Sequence, residues 1–314
     1  MGLGTNHVTT TTAAKFIPAI WSDEIVAAYK KNLVAANLIK KMNFKGKKGD
    51  TVHIPSPTRG SASAKAASTQ VTLIAATENE VLVSINKHYE YSRLIEDIVE
   101  AQALSSLRAF YTDDAGYALA KQVDTDLIRL GRQANGATVG TDDYATSNTA
   151  TKAFIGSNGT TAYNSTSSNA AALTDAAIRR TIQRLDDSDV PMDNRFFIVP
   201  PSSRNTLMGL ARFTEQAFVG EQGANNTIRN GNIGDVYGVQ VYVSTNADSG
   251  AGNSGADRIC LMGHKDAYIL VEQQGVRAQT QYKQEYLGTL FTADTLYGVA
   301  ELRDYSSVAL AVPA

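Results

Sequence analysis

The sequence predicts an α+β chain in which long extended elements flank one mixed core. Three observations carry this. Residues 104–132 keep apolar side chains at three- and four-residue spacing. Residues 49–55, 80–91, 276–286 and 296–312 alternate apolar and polar side chains, as strands do. Between them runs a series of short strands and helices with turn residues at their ends. At 314 residues and 43% hydrophobic content, the chain is long and apolar enough to bury a real core.

In chain order, residues 1–45 read as an N-terminal arm and first helices. The first eighteen residues are Thr-rich and aperiodic, ending at Phe16-Ile17-Pro18, which suits an arm ordered by a partner surface. Ser22 is placed to N-cap a helix carrying Ile25 and Tyr29 on one face, with Asp23 and Glu24 complementing its dipole. Lys40 and Lys41 fall near the end of a second helical piece. Residues 46–91 read as an extended hairpin. One strand runs from Gly49 until Pro55 and Pro57 break it, a Ser/Ala-rich tip covers 60–69, and a second strand runs from Glu80 to Tyr91 with Val81, Val83 and Ile85 on one face. A two-stranded hairpin is marginal alone in water, so it calls for support from other subunits.

Residues 92–133 hold the strongest helix, Leu104 to Arg132, which would span roughly 40 Å at 1.5 Å per residue. The acids Asp113, Asp114, Asp124 and Asp126 interrupt it and are expected to face solvent or to pair across subunits. Residues 134–172 are Gly, Ser, Thr, Asn and Ala with scarcely a large aliphatic, the composition of a polar insertion loop. Residues 173–266 form the compact mixed unit: a helix from Leu173 to Asp189 capped near Thr174 or Asp175, a strand at Phe196–Val199, a Pro-started helix from Pro201, and strands at Val236–Ser244 and Ile259–Met262. Residues 267–314 open with the short strand Ala267–Val271 and read as return strands, Val276–Tyr286 and Leu296–Val312, pairing beside the long helix.

Charge is unevenly placed. The net charge is −2, which gives no electrostatic argument for a dedicated nucleic-acid binder, yet residues 1–60 carry nine Lys/Arg against three acids, a local +6, and the remainder carries −8. Such a split lets one face meet a polyanion or an acidic neighbour. The single Cys260 permits no internal disulfide and no thiolate metal cage, fitting synthesis in a reducing cytoplasm. The N-terminus has neither a charged n-region nor an apolar h-region, and no run approaches the ~18 apolar residues of a membrane span. The N-x-[ST] triplets at Asn158, Asn164 and Asn225 are therefore chance matches.

Catalytic chemistry finds no foothold. The histidines His7, His53, His88 and His264 have no G-x-S-x-G elbow to serve, so no Ser-His-Asp site is expected. His53 and His88 fall on opposite strands of the hairpin, where a shared metal is a weaker reading than ordinary surface histidines. Gly231, Gly234 and Gly238 match neither a dinucleotide fingerprint nor a P-loop and read as turn glycines. Asp186, Asp187 and Asp189 read as a solvated helix end. Neither cofactor nor metal is expected, and a soluble α/β enzyme is the rival that this inventory disfavours.

The order of parts, together with Phe16-Ile17-Pro18-Ala19-Ile20-Trp21-Ser22, Gly49-Asp50-Thr51-Val52, Gly231-Asn232-Ile233-Gly234-Asp235-Val236-Tyr237-Gly238-Val239 before Val241–Ser244, His264-Lys265-Asp266-Ala267 and Asp294-Thr295-Leu296-Tyr297-Gly298-Val299, resembles the tailed-bacteriophage major capsid proteins of the Hong Kong 97 fold. The resemblance covers nearly the whole chain; no motif is specific alone, and their order is. It implies an extended loop near Gly49 to Tyr91, a spine helix, an axial domain within 173–266 around capsomer centres, and a peripheral domain combining the spine helix with the tail. The long 134–172 loop and the short arm without a delta-type segment depart from the pattern, implying a processed or short form, or a separate scaffold protein.

The resemblance also implies a structural, non-enzymatic role: a virion protein, made in the bacterial host cytoplasm, that self-assembles as pentamers and hexamers into an icosahedral shell enclosing double-stranded DNA. Expected partners are other copies of the chain, portal, scaffold or decoration proteins, and DNA through weak nonspecific contacts, with no membrane. An encapsulin-like compartment shares the fold and is the rival within the class. Lys65, Arg59, Trp21, Tyr89 and Tyr91 are the expected assembly residues. Lys65 is the one lysine near the loop tip, where some relatives join a lysine to a neighbour's asparagine. That chemistry needs a neutral amine beside a carboxylate, so noncovalent shells are expected.

Overall fold

The computed structural model describes residues 33–46, 48–57, 60–71, 73, 78–98, 107–133, 153–164, 169–210, 234–249 and 257–314. Its strands form three sheets. A four-stranded sheet has the order β1 (Lys40–Asn43), β10 (Tyr268–Lys283), β11 (Gly288–Glu301), β4 (Lys87–Glu96). A six-stranded sheet has the order β5 (Ala153–Ile155), β12 (Ser307–Pro313), β9 (Asp257–His264), β6 (Arg195–Val199), β8 (Val239–Val243), β7 (Asp235–Val236). The third is the hairpin of β2 (Thr51–Pro57) and β3 (Glu78–Ser84). Among the described residues the α-helices with stated bounds are α1 (Ala35–Leu38), α2 (Leu107–Arg129), α3 (Asp175–Asp187) and α4 (Pro201–Met208).

Local chemistry explains most of these elements. Thr174 is extended and its hydroxyl accepts from Ala177 N–H, so α3 starts on a side-chain cap with Asp175 in its first turn. Its Ala177, Ile178, Thr181 and Leu185 are buried. They lie against β6, β9 and β12, whose Phe197, Val199, Cys260, Met262, Val308, Leu310 and Val312 complete the main core. β6 reads Arg-Phe-Phe-Ile-Val and is buried throughout, as a central strand covered on both faces must be. Pro201 starts α4, where its missing N–H costs nothing.

A second core joins α1 and α2 to both large sheets through Leu127, Ile128, Phe196, Ile198, Leu261, Tyr268, Leu270 and Tyr297. Two carboxylates of α2 organise it. Asp124 Oδ1 accepts from the N–H groups of Val34 and Ala35, at 3.0 and 2.8 Å, closing the start of α1, and its Oδ2 accepts from Asn246 Nδ2 at 2.9 Å. Asp126 accepts from the Tyr297 hydroxyl at 2.7 Å and meets Lys87 Nζ at 3.2 Å. Asp124 and Asp126 are buried and pair within the chain, not with solvent or another subunit as their charge suggested. Asp114 likewise takes the Tyr91 hydroxyl of its own chain.

Several sequence expectations change. The expected strand from Glu80 to Tyr91 is two strands in different sheets, β3 and β4, because alternation of buried and exposed residues continues unbroken when a chain changes pairing partner. Val83 and Ile85 are buried and Val81 is half-buried on the one face expected. His53 and His88 are therefore not paired across the hairpin. Pro55 lies inside β2 and does not end it, while Pro57 is its last residue. Ile85 N–H donates to Asp50 O, so residues 51, 53, 55 and 57 turn their amide side to the open edge, where proline costs no ladder bond. Lys40 and Lys41 open β1 rather than closing a helix.

Within the expected polar loop 134–172, Ala153–Ile155 form an edge strand parallel to β12, and Tyr163 is buried with its hydroxyl on Asp257 at 2.7 Å. Three residues are too few to give a periodic signal. The expected tail strand Leu296–Val312 is also two strands. β11 returns along β10, whereas β12 crosses into the six-stranded sheet. The long helix is seen from Leu107, while the arm and its helix at 22–29 lie outside the described residues.

Removing the Asp124 carboxylate strands two buried amides and the Asn246 side chain. Asp124→Ala should lower the unfolding free energy by roughly 3 kcal/mol. Asp124→Asn, which keeps an acceptor for both amides, should cost clearly less; urea denaturation of the unassembled subunit measures both.

Candidate assembly surfaces

Among the described residues the hairpin is anchored at one end only. Val52, Val83 and Ile85 pack on Ile269 and Val271. Gly298 of β11 lets Ser84 approach so closely that a Cβ there would lie 2.5 Å from its carbonyl oxygen. Toward the far end the described tip, residues 60–71, is exposed throughout. It makes a turn at Ser68, whose φ is 64°, closed by Thr69 N–H and hydroxyl donating to Ala66 O. Lys65 is exposed in this tip, and among the described residues no hydrogen bond or ion pair to it is seen. Val71 and Leu73, just beyond, are 64% and 90% exposed. These apolar side chains lack cover in the single chain, and sequence reading missed them because Val71 and Leu73 alternate over too few residues to stand out beside a Ser/Ala-rich stretch. Arg59 and Trp21 lie outside the described residues.

Tyr89 and Tyr91 are half-buried on β4. Tyr89 lies against Tyr297, ring centres 6.0 Å apart and planes tilted by 31°. Tyr91 donates to Asp114 at 3.0 Å and accepts from Arg93 Nε at 2.6 Å, and the Arg93 guanidinium stands 4.6 Å over the Tyr111 ring. Burial and the Asp114 carboxylate hold the Tyr91 phenol above its ordinary pKa. Both tyrosines thus hold β4 to α2 and β11, leaving part of each ring uncovered.

A second projecting element was not singled out from sequence. β1 pairs β10 only from Ile269 to Glu272, so β10 continues to Lys283 with one edge open. β11 pairs it on the other side, and β4, which follows β11 from Tyr297 back to Gly288, is the opposite edge. Phe291 and Ala293 pack on Ala115 and Leu119 of α2. The distal end leaves Val276, Tyr282, Tyr286 and Leu287 exposed. The ribbon is stiffened by Asp294, which takes a two-point contact from Arg277 at 3.1 and 2.9 Å, with Gln274 at 2.9 Å and His88 at 3.4 Å. The Arg277 contact holds the Asp294 carboxyl below its ordinary pKa.

Groups that could do chemistry are engaged structurally. Burial pushes the Cys260 thiol up to about 12, and its sulfur lies 3.3 Å from Ser203 Oγ in the core. Asp186 pairs with buried Arg195 at 2.7 Å, so this acid of the 186–189 cluster serves the turn into β6. His53 meets Glu80 at 2.9 Å on the hairpin surface, and His264 Nδ1 accepts from Asp266 N–H. A cleft of about 600 Å³ lies between Ile54–Pro57 of β2 and the segments bearing Asp189, His264, Asp266 and Asp304, and it mixes these groups with Lys40 and Arg303. Among the described residues no three His, Cys, Asp or Glu side chains converge as a metal site, and no helix is long and apolar enough to cross a membrane.

Comparison with known proteins gives a consistent picture. A family model described as phage capsid protein matches residues 35–304. A structure from Mycobacterium phage Che8 superposes with a TM-score of 0.73 at 22% identity, covering 94% of this chain and 97% of that one. The capsid of cyanophage P-SCSP1u gives 0.75 at 20% identity, over 99% and 97% of the two chains. The cyanophage Pam1 capsid gives 0.70 at 15% identity, over 99% of each. No curated protein matches the chain in sequence.

The tip should exchange its amide hydrogens at near-intrinsic rates in an unassembled subunit and be protected once assembled. Peptides covering residues 60–71, compared by hydrogen exchange in the two states, check this; equal protection in both would contradict it.

Proposed function

The chain belongs to the phage capsid protein family, and we propose from that premise that it does its work by burial, many copies assembling as pentamers and hexamers into the icosahedral head. The observation that carries the mechanism is the pair of projecting elements. The hairpin tip and the distal β10–β11 ribbon present backbone edges with Val71, Leu73, Val276 and Leu287 uncovered, more apolar surface than extended elements can hide within one subunit. Neighbouring subunits supply that cover. Obligate interfaces of about 2,000–5,000 Å² are of the size such a shell needs.

Lys65, Arg59, Trp21, Tyr89 and Tyr91 act in this reading at subunit contacts, Lys65 from the hairpin tip and the tyrosines through the uncovered parts of their rings. The subunit has a structural role and catalyses no reaction. The +6 of residues 1–60, represented among the described residues by exposed Lys40, Lys41, Lys45 and Lys48, faces packaged double-stranded DNA and neutralises it weakly and without sequence preference. The shell joins a portal and works with scaffold or decoration proteins. Synthesis is in the host cytoplasm and the final location is the virion. Lys65 stands exposed in a polar tip with no carboxylate paired to it among the described residues to act as a base, and the contacts are noncovalent.

Purified protein should show closed particles or capsomers by negative-stain microscopy, with nuclease-protected DNA in particles from infected cells. Boiled, denatured subunits should run as a single band near 33.6 kDa. Uniform small monomers would overturn the shell, protein cargo in place of DNA would favour a compartment, and a ladder of ring-sized multimers would overturn noncovalent assembly.

A further inference from the structure

Glu301 is the last residue of β11, paired with Tyr268, the first residue of β10. It is buried, 7% exposed, and neither carboxyl oxygen has a hydrogen-bond partner, the one such side chain among the described residues. Its position is a junction. From Tyr268 the chain runs back through residues 265–267 into β9, and from Glu301 it runs on through 302–306 into β12, so both crossings leave the four-stranded sheet for the six-stranded one side by side. They are laced by Leu302 N–H to Ala267 O at 2.8 Å, Arg303 N–H to Ala267 O at 3.3 Å and His264 N–H to Ser306 O at 3.1 Å. The Tyr268 hydroxyl donates to Ser307 Oγ at 2.7 Å across the same place.

Among the described residues no cation pairs with this carboxyl. It is faced from β10 by the Tyr268 phenol and from the 302–306 turn by the Asp304 carboxylate, both acids. Lys265 and Arg303, on the two crossings, are exposed and neither pairs with it. Asp126 and Lys87, which meet β11 at Tyr297, are engaged with each other and with the Tyr297 hydroxyl. An ionised carboxylate without a partner is costly in such a place, so the closed junction holds Glu301 as the neutral acid.

We propose that Glu301 is a proton-controlled latch where the chain crosses between its two larger sheets: neutral, it lets the crossings close; ionised, it draws in water and frees the sheets to change their mutual angle. The exposed turn Arg303-Asp304-Tyr305 beside it is the route by which water enters. The latch is a property of the single subunit and goes beyond the shell reading.

The pH dependence follows from linkage. Burial, with Asp304 adding to it, raises the Glu301 carboxyl from the ordinary 4.5 to about 8 in the closed junction. Because the folded value lies above the unfolded one, the contribution to closure is full below the ordinary value, shrinks as pH rises, and is gone above about 8. Opening should therefore increase about tenfold per pH unit across that window and level off above it.

Hydrogen exchange of the full chain between pH 5 and 9.5, corrected for intrinsic rates, reads this in peptides covering 264–268 and 301–307, with 195–199 of β6 as control. The wild type should show the rise and plateau in the first two peptides only. Glu301→Gln and Glu301→Leu should each be flat, so failure of one to fold leaves the other. A flat wild-type profile, a rise that survives in a folded variant, or an equal rise in β6 would overturn the latch.

Discussion

The fold depends on two carboxylates buried on one helix. Asp124 and Asp126 sit two residues apart on α2, and between them they satisfy the start of α1, the Asn246 side chain beyond β8, the Tyr297 hydroxyl on β11 and the Lys87 ammonium on β4. Burying charge is unfavourable unless each oxygen is matched, and here the matching groups come from four distant stretches of chain. The helix is thereby held to both larger sheets at one place, and the packing of Leu127, Ile128, Tyr268 and Tyr297 follows from that register.

From this braced centre the chain builds outward with elements that cannot stand alone. β2–β3 is a two-stranded sheet, and the distal halves of β10 and β11 gain only β4 as a further partner. Such ribbons keep open edges, which soluble monomers usually blunt. Pro55 and Pro57 place two missing amides on the free edge of β2, which discourages unplanned pairing there. For a member of the capsid family, open surface of this kind suits contacts between copies of the chain in a shell.

The same economy explains why reactive side chains are occupied. Cys260, Arg195 and Asp186 are all spent on packing or turn geometry in the six-stranded unit. Glu301 is the exception among the described residues, and it lies where the chain crosses between the two larger sheets.

Much of this was readable in the sequence. The capped helix at 175–187, the apolar strand at 195–199, the shared face of Val81, Val83 and Ile85 and the long helix all follow from period and caps, which are local properties. Asp124 could have been suspected, since it shares a helix face with Leu127 and Ile128, four or fewer residues away. What the sequence could not state was partnership. The same alternating pattern carries the chain from β2's partner to β11's partner without a mark, three residues of β5 are too short to show a period, and β12 leaves the tail for the other sheet. Periodicity reports which side of an element is buried, because that depends on neighbours along the chain. Which element does the burying is decided by contacts between residues far apart in sequence, and only the folded arrangement contains them.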